Sequence, residues 1–445
     1  MRQFPLKAKF RQFSLNETHG LRDTVIVPSV KGTPLLKYGK HAYYFYNFKT
    51  GKCVCVEIKH LDIIKPGLPL FIKALKRKNT VWTKLKLFFE RFHYGFNFLE
   101  QIMLMTVPHT IVSTGNGKFI VNLWSYVGYI EVDCRAKTVS YVILEEGQQD
   151  DQVLGSQQWY DHDSDELYYM TYSLPESLQK KNDPFRSVSC RILKDNRQTG
   201  ATQEIWSGPL TDYLHDIQVN KTRRYCVVCE LGMFLDRSGS IIPSKVLVID
   251  MKHRKEWIIS RFIVAAHAQF DPEDPDVIYF SNHNFKFVPS SYTALLRNAT
   301  YNIKFNGPAS VFKYRLASDG PQEIGVFTDP NMFRLTNFHV FMHRGNKILA
   351  AMGFPNFIYF VDANTMTFIK KIEVSHGKSY KYFWKNIQCV IGTLSPSSDG
   401  EKLFVQTTRS FQIIDIERGT LDHIQPLFFN HSCANHMQTA SDTDW

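Results

Sequence analysis

Four histidines recur at matching points of successive segments of the chain. Three of them stand ten positions before an apolar or aromatic residue that opens a predicted strand, and the fourth stands nine positions before one. These residues are His109, His215, His267 and His339. Neutral imidazole is the commonest metal ligand in proteins and suits iron, copper, nickel and zinc. The pattern predicts a metal site with open coordination positions for a substrate or dioxygen. The alternative is a set of polar residues bonded to backbone carbonyls or channel water.

Other residues could alter or support this set. Two further histidines, His283 and His376, compete for a place among the ligands. None of the four predicted ligands is a carboxylate. Carboxylates would therefore have to act by orienting the ligands through hydrogen bonds. The candidates by proximity in sequence are Asp161, Asp216 and Glu230.

The elements that must position these histidines form a repeat. Seven segments, spaced roughly 40–60 residues apart, combine β-branched and aromatic strands with Gly or Asp turns. One example, RGNKILAAMGFPNFIYFVD, ends at Asp362. Four-stranded units at this spacing predict an all-β fold, a seven-bladed β-propeller, with another all-β array as the alternative. The first strand of each blade lines the central axis of a propeller, so the four histidines would face one another there.

Two stretches interrupt the repeat. Residues 59–105 are basic and aromatic, with apolar residues near helical spacing, and predict a helical insertion between blades 1 and 2. Residues 285–309 predict a loop insertion over one mouth of the channel. We expect a single propeller over 1–430 and a flexible tail at 431–445. A strand near residues 10–15 is expected to close the ring by pairing with the last blade.

Composition narrows the classes of function. The chain has 53 basic and 42 acidic residues, and its formal net charge of +11 suits a polyanionic partner. The sequence contains no apolar run of about 18 residues, so a membrane-spanning helix is not expected. No phosphate-binding loop or serine-nucleophile motif occurs. The eight cysteines favour reduced thiols and a cytoplasmic location. Cys226 and Cys229 would point to opposite faces of a strand, so they do not indicate a zinc site.

The segments around three of the histidines resemble carotenoid cleavage oxygenases. These segments are LHDIQVNKTRRYCVV from Leu214, AHAQFDPED from Ala266 and NFHVFMH from Asn337. The resemblance implies a seven-bladed propeller in which four imidazoles hold a non-haem Fe(II) and dioxygen cleaves an alkene in an apolar tunnel. It further implies that His215, His267 and His339 are iron ligands, with His109 in the fourth place.

A second likeness competes with the first. The segment HAQFDPEDPDVIYF from His267 is similar to oligogalacturonate lyases, seven-bladed propellers that bind a divalent metal, often manganese, through His and Gln. It implies that Gln269 helps His267 and that the metal acidifies the α proton of a uronate, which a base then removes.

We therefore predict a metal-dependent enzyme with Fe(II) on the axis, a dioxygenase acting on an apolar, aromatic or isoprenoid small molecule. The alternatives are a divalent-metal lyase for acidic sugars and a non-catalytic propeller that serves as an interaction platform, between which the fold cannot choose. The insertion at 59–105 is expected to contact a membrane surface peripherally or to gate access of the substrate, with packing on the propeller rim as the alternative. Nucleic acid is not an expected partner.

Overall fold

The computed structural model of the protein describes nineteen ranges of the chain. They are residues 2–14, 24–31, 40–47, 52–58, 108–123, 128–143, 152–173, 188–210, 214–230, 243–283, 285–287, 303–305, 307–332, 335–353, 357–374, 393–397, 399–406, 411–424 and 439–440. Every regular element within these ranges is a β-strand, which confirms the all-β prediction. The helical insertion predicted at 59–105 lies outside the described residues.

The first strands of the chain form an N-terminal sheet and one added edge. The edge strand is β1 (Arg2–Pro5). The N-terminal sheet contains β2 (Ala8–Ser14), β3 (Thr24–Lys31), β4 (Lys40–Asn47) and β5 (Lys52–Ile58). These strands pair antiparallel in the order β3-β4-β5-β2.

Three four-stranded sheets follow, which we name blades A, B and C. Blade A contains β6 (Pro108–Gly115), β7 (Lys118–Leu123), β8 (Gly128–Asp133) and β9 (Thr138–Ile143), and β1 pairs with β9 at its outer edge. Blade B contains β10 (Gln152–Asp161), β11 (Glu166–Ser173), β12 (Val188–Asn196) and β13 (Thr202–Leu210). Blade C contains β14 (Leu214–Val219), β15 (Tyr225–Glu230), β16 (Ser244–Asp250) and β17 (Lys255–Phe262).

Blades D, E and F complete the series. Blade D contains β18 (Ala265–Phe270), β19 (Val277–Asn282), β22 (Ser310–Ala317) and β23 (Gly320–Thr328), and the short strands β20 (Phe285–Phe287) and β21 (Ile303–Phe305) pair with each other between β19 and β22. Blade E contains β24 (Leu335–His343), β25 (Asn346–Gly353), β26 (Phe357–Asp362) and β27 (Thr367–Glu373). Blade F contains β28 (Thr393–Pro396), β29 (Lys402–Gln406), β30 (Phe411–Asp415) and β31 (Leu421–Ile424).

The six blades are arranged as a propeller. Each blade pairs its four strands antiparallel in chain order. The first strands of consecutive blades contact one another in the series β6, β10, β14, β18, β24 and β28. Because the first strand is innermost in every blade, these six strands line the central axis. The propeller prediction is confirmed for six blades, and the seventh blade stays a prediction.

Apolar packing between neighbouring blades holds this arrangement. All six residues of β15 are buried, and they alternate between two clusters. Cys226 and Val228 pack in one cluster with residues of blade B, whereas Tyr225, Val227 and Cys229 pack in another with residues of blade D. A strand covered on both faces reads as a continuous apolar run, which is why YCVVC lacks polar alternation. The opposite orientation of Cys226 and Cys229 confirms that they form no common site.

The N-terminal sheet packs against blade A. Tyr43, Phe45 and Val56 share a buried cluster with Phe119 of β7, and the Phe45 and Phe119 ring centroids lie 4.6 Å apart. The prediction that a strand near residues 10–15 pairs with the last blade is wrong, because β2 pairs with β5 in register with Phe10 opposite Val56. The physical reason is that the chain from β3 to β5 supplies only three strands, whereas β28 to β31 already supply four. Within the tail predicted at 431–445, β32 (Thr439–Ala440) pairs with β3.

Aspartates shape the turns at one end of the blades. Turns between first and second strands and between third and fourth strands lie at the same end of an antiparallel blade, and we call this end the turn face. Asp133, Asp250 and Asp362 each end a third strand and accept two backbone N–H groups of the following turn. Such turns satisfy buried donors locally. The aspartate that ends the predicted segment RGNKILAAMGFPNFIYFVD, Asp362, therefore has this physical role.

Ion pairs on the turn face also connect neighbouring blades. Arg223 of blade C pairs with Asp161 of blade B, and the Lys347 ammonium of blade E lies 2.8 Å from the Asp271 carboxylate of blade D. The Asp271 and Lys347 side chains are 1% and 9% exposed, so little solvent screens this pair.

We predict that Asp250→Asn destabilises the protein in a pH-dependent way. The Asp250 side chain is 1% exposed and bonds both Arg224 and the His253 ring. Burial raises the pKa of Asp250, but the hydrogen bonds from His253 and Arg224 outweigh burial and lower it to about 2. A lowered folded-state pKa contributes stability above the unfolded-state pKa of about 4, and that contribution is lost as pH falls toward 2. We expect a loss of about 2 kcal/mol at pH 7 in urea unfolding, shrinking at pH 3.

The control for this prediction is Asp319→Asn in an exposed turn of blade D. It should change the free energy of unfolding by less than about 0.5 kcal/mol at both pH values. A loss for Asp250→Asn that stays constant from pH 7 to pH 3 would contradict the assignment.

Candidate functional site at the axis

The four predicted histidines all lie on first strands. His109 is on β6, His215 on β14, His267 on β18 and His339 on β24. These strands belong to blades A, C, D and E. The side chains of His109 and His215 lie outside the described residues, so their convergence with the other two stays a prediction.

Irregular strand pairing marks the start of several inner strands. The register of β6 shifts between Pro108 and Ile111, that of β14 between Leu214 and Asp216, and that of β18 between Ala266 and Gln269. Each of these intervals contains one predicted histidine. In β24 the shift lies between Leu335 and Asn337, just before His339. A β-bulge re-aims side chains and is frequent beside functional sites. The backbones of His109, His215 and His267 therefore lie at bulges of their strands.

His267 has an unusual backbone conformation. Its φ is +57°, and among the described non-glycine residues with positive φ it alone lies within a strand, since the others lie in turns. This conformation costs roughly 1–2 kcal/mol for a residue with a Cβ. The Asp216 carboxylate of the neighbouring strand β14 accepts the His267 backbone N–H and is fully buried. Asp216 thus holds the strained bulge in place.

A second imidazole lies beside His267. The His283 ring, 6% exposed, stacks on it with centroids 5.1 Å apart and planes 28° from parallel. The backbone N–H of His283 donates to the Val264 carbonyl at 3.0 Å, and the Asn282 side-chain oxygen accepts from Ile263 at 3.0 Å. These bonds tie the end of β19 to the start of β18. His283, the competitor from the sequence, is therefore a described neighbour of His267, whereas His376 lies outside the described residues.

The inner side of the bulge contains a thiol. Burial raises the pKa of Cys229 well above its usual value, and the Asp216 charge raises it further, against a hydrogen bond with the Ala268 backbone. The thiol is therefore protonated at neutral pH and does not act as a nucleophile or a thiolate ligand. Its contact with Ala268 adds a second support for the bulge.

Gln269 connects two inner strands. Its amide nitrogen donates to the Val340 carbonyl and its amide oxygen accepts the Val340 N–H, both at 2.9 Å. The expectation that Gln269 assists a metal is therefore not favoured, because its oxygen already accepts a hydrogen bond from β24. Its position instead fixes β18 relative to the strand that carries His339.

His339 is neutral at ordinary pH. Burial lowers its pKa to about 4, although a hydrogen bond with the Leu394 backbone opposes this shift. Neutral imidazole has the lone pair that a metal requires. The chemistry of this side chain is thus compatible with a ligand, and its bond to β28 connects blade E to blade F.

The three carboxylates expected to support the ligands have different environments. Asp216 contacts the backbone of a predicted ligand, as described above. Glu230 is 1% exposed and lies opposite Leu214 in the strand pairing. Asp161 cannot support the axial site, because it ends β10 on the turn face and bonds Arg223 there. Its ten-residue strand carries it to the far end of the blade.

No cluster of three or more His, Cys, Asp or Glu that could hold a metal occurs among the described residues. The described donors alone therefore do not form a metal site. Sequence reasoning missed the bond between Asp216 and His267 and the stacking on His283. Their signal was the presence of polar residues within otherwise apolar strands.

The part of the chain that is described contains no helix long and apolar enough to cross a membrane. The predicted peripheral contact through 59–105 lies outside it.

Comparisons with known proteins add the following. No protein-family profile and no curated relative matches the chain. It is similar to an oligogalacturonate lyase in complex with manganese, with 10% identity over 96% of this chain and 98% of that chain and a TM-score of 0.46. It is also similar to a chain of a mitotic checkpoint complex, with 11% identity over 72% and 81% and a TM-score of 0.43. A functionally unknown protein from Desulfotomaculum acetoxidans matches with 12% identity over 73% and 80% and a TM-score of 0.41. Likenesses this distant carry no argument about function, and the propeller assignment rests on the sheets themselves.

We predict that Asp216→Ala destabilises the protein by about 2–3 kcal/mol, because the backbone N–H of His267 loses its buried acceptor. Asp216→Asn should cost less than Asp216→Ala, since an amide oxygen can still accept that N–H. Urea unfolding followed by circular dichroism measures both. Equal stability of the wild type and Asp216→Ala would show that the bulge does not depend on this carboxylate.

Proposed function

We propose that the protein is a metal-dependent β-propeller enzyme whose divalent ion binds at the axis, beside the His267 bulge. The observation that carries the proposal is the strained backbone of His267, anchored by the buried Asp216 and stacked on His283. Strain of this kind persists where the surrounding structure over-determines it, and it clusters at functional sites.

The ligands in this proposal are His109, His215, His267 and His339, with His283 able to replace one of them. Three facts support the set. All four backbones lie on inner strands, the predicted ligands on β6, β14 and β18 lie at bulges, and burial keeps His339 neutral. The buried Asp216 adds a negative charge that would stabilise a nearby cation.

The donor chemistry favours iron over manganese. Imidazole suits Fe, Cu, Ni and Zn, whereas carboxylates, carbonyls and water suit Mn and Mg. The bonds of Gln269 to Val340 also weaken the manganese lyase alternative. Fe(II) held by imidazoles alone would supply open positions for dioxygen, so we place a dioxygenase acting on an apolar or aromatic small molecule first. A lyase acting on acidic sugars is the second candidate.

Further parts of the proposal concern the rest of the chain. We propose that the N-terminal sheet is the seventh blade, supported by its four antiparallel strands and its apolar packing on blade A. We also propose a cytoplasmic location, and peripheral membrane contact through the helical insertion at 59–105.

The experiment is metal analysis of protein purified without an affinity tag and dialysed anaerobically against Fe(II) or Mn(II). The test variant is His267→Asn, because asparagine tolerates a positive φ while lacking the imidazole. The matched control is His162→Asn, an exposed histidine on the turn face. We expect about one tightly bound ion per chain in the wild type and control, and at least roughly tenfold weaker binding in His267→Asn.

Each outcome decides something. Retained iron supports the dioxygenase, and retained manganese with no iron supports the lyase. Absence of any bound metal in the wild type would overturn the metalloenzyme, as would unchanged binding in a folded His267→Asn variant.

A further inference from the structure

A cleft lies between blades B and C on the turn face, at the end of the propeller opposite the His267 bulge. It has a cavity volume of about 540 Å³. Blade B contributes residues of β11, β12 and β13, and blade C contributes its two turns and the adjoining ends of β16 and β17. No predicted metal ligand lines it, so it is a separate feature of the molecule.

The acidic residues that line the cleft are engaged. The Glu166 carboxylate lies 2.9 Å from the Lys194 ammonium, and Glu204 accepts from Arg191 at 2.7 Å. Glu256 accepts a hydrogen bond from the Trp206 indole N–H. Each lining carboxylate thus already has a donor from blade B.

The basic residues of blade C are not engaged in the same way. Arg254 and Lys255 line the cleft, are exposed, and have no acidic partner among the described residues. Lys252, two residues before Arg254, is likewise exposed without such a partner in that part of the chain. Glu166 and Glu204 are paired with cations, and the charge of Glu256 is outnumbered by those of Arg254 and Lys255, so the cleft presents a net positive charge to solvent.

The turn that carries these cations is rigid. The Asp250 carboxylate accepts the backbone N–H groups of Lys252 at 3.1 Å and His253 at 3.0 Å. Arg254 follows with a φ of +53°. A turn fixed in this way loses little conformational entropy when a ligand binds.

The opposite wall of the cleft provides an aromatic surface. Trp206 is half-buried, and a Cβ at Gly208 would come within 2.6 Å of its ring, so Gly208 permits the ring to lie across the strand. Tyr168 lies deeper in the same wall. The cleft therefore combines unpaired cations, an aromatic ring and paired polar groups.

We propose that this cleft binds an acidic peptide segment of a partner protein. Carboxylates of the segment would pair with Arg254 and Lys255, and its apolar side chains would contact Trp206. A peptide fits better than a nucleic acid, because phosphates at every nucleotide would also face Glu166, Glu204 and Glu256. Peptide N–H groups, in contrast, can donate to those carboxylates. Charge complementarity of this kind sets specificity and association rate.

The test is fluorescence anisotropy of a fluorescein-labelled decapeptide of alternating Glu and Leu, titrated with the full chain at 100 mM salt. Arg254→Glu should weaken binding at least roughly tenfold, since it replaces attraction by repulsion. The control is Lys137→Glu, which makes the same change of charge in the equivalent turn of blade A. Lys137 is exposed, follows the Asp133 turn and has a φ of +56°, against +53° for Arg254.

We expect the control to bind the peptide as the wild type does. We also expect the peptide to change the fluorescence of Trp206, and Trp206→Phe should remove that change. Thermal unfolding of each variant shows that it is folded. If Lys137→Glu weakened peptide binding as much as Arg254→Glu does, the overall charge of the protein would explain the effect and the proposed site would be overturned. Lack of saturable binding, or stronger binding of a single-stranded oligonucleotide than of the peptide, would overturn it as well.

Discussion

The apolar packing between neighbouring blades is the interaction on which the rest of the structure depends. No four-stranded sheet here could bury its apolar residues alone, because both faces of its middle strands are apolar. Tyr225 and Val227 of β15 pack toward blade D, while Cys226 and Val228 pack toward blade B. Blades A to E are each positioned in this way by two neighbouring sheets, and the inner strands are held around the axis. Apolar packing is non-directional and does not by itself fix how two blades are oriented. Ion pairs such as that of Lys347 with Asp271 provide a directional contact between neighbouring blades.

This support explains how the axis tolerates local features that an isolated sheet would lose. The positive φ of His267 and the buried charge of Asp216 each cost free energy on their own. They occur together, and the carboxylate accepts the N–H that the bulge removes from the regular pairing. The bonds between Gln269 and Val340 then join this strand to the next inner strand. The cost is distributed over three blades, which are held by apolar clusters shared between neighbours.

The sequence predicts the parts of this structure that local patterns determine. Apolar runs such as YCVVC and third strands that end in Asp250 or Asp362 were sufficient to define the repeat, because strand burial and turn geometry are encoded within a few residues. Pairing between distant segments is not encoded locally. The pairing of β2 with β5 depends on which strand edges are unpaired in the assembled sheets. The hydrogen bonds between the Gln269 amide and β24 likewise depend on which backbone groups of the neighbouring strand are available. The prediction that Asp161 supports the axial ligands was wrong for a related reason. Asp161 lies on an inner strand, but proximity in sequence does not show which end of that ten-residue strand it occupies.

The two proposed sites lie at opposite ends of one strand. Asp216 is near the start of β14, where it holds the His267 bulge, and Arg223 in the turn after β14 lines the cleft between blades B and C. Asp216 and Arg223 are seven positions apart, which is at most about 23 Å of chain at 3.3 Å per residue. The strand β14 joins the cleft to the axis, and it is short and has a bulge at its start. Coupling through a packed element of this kind requires that the element have two discrete arrangements. The proposed metal site at the axis and the proposed peptide cleft on the turn face are therefore treated as two independent sites.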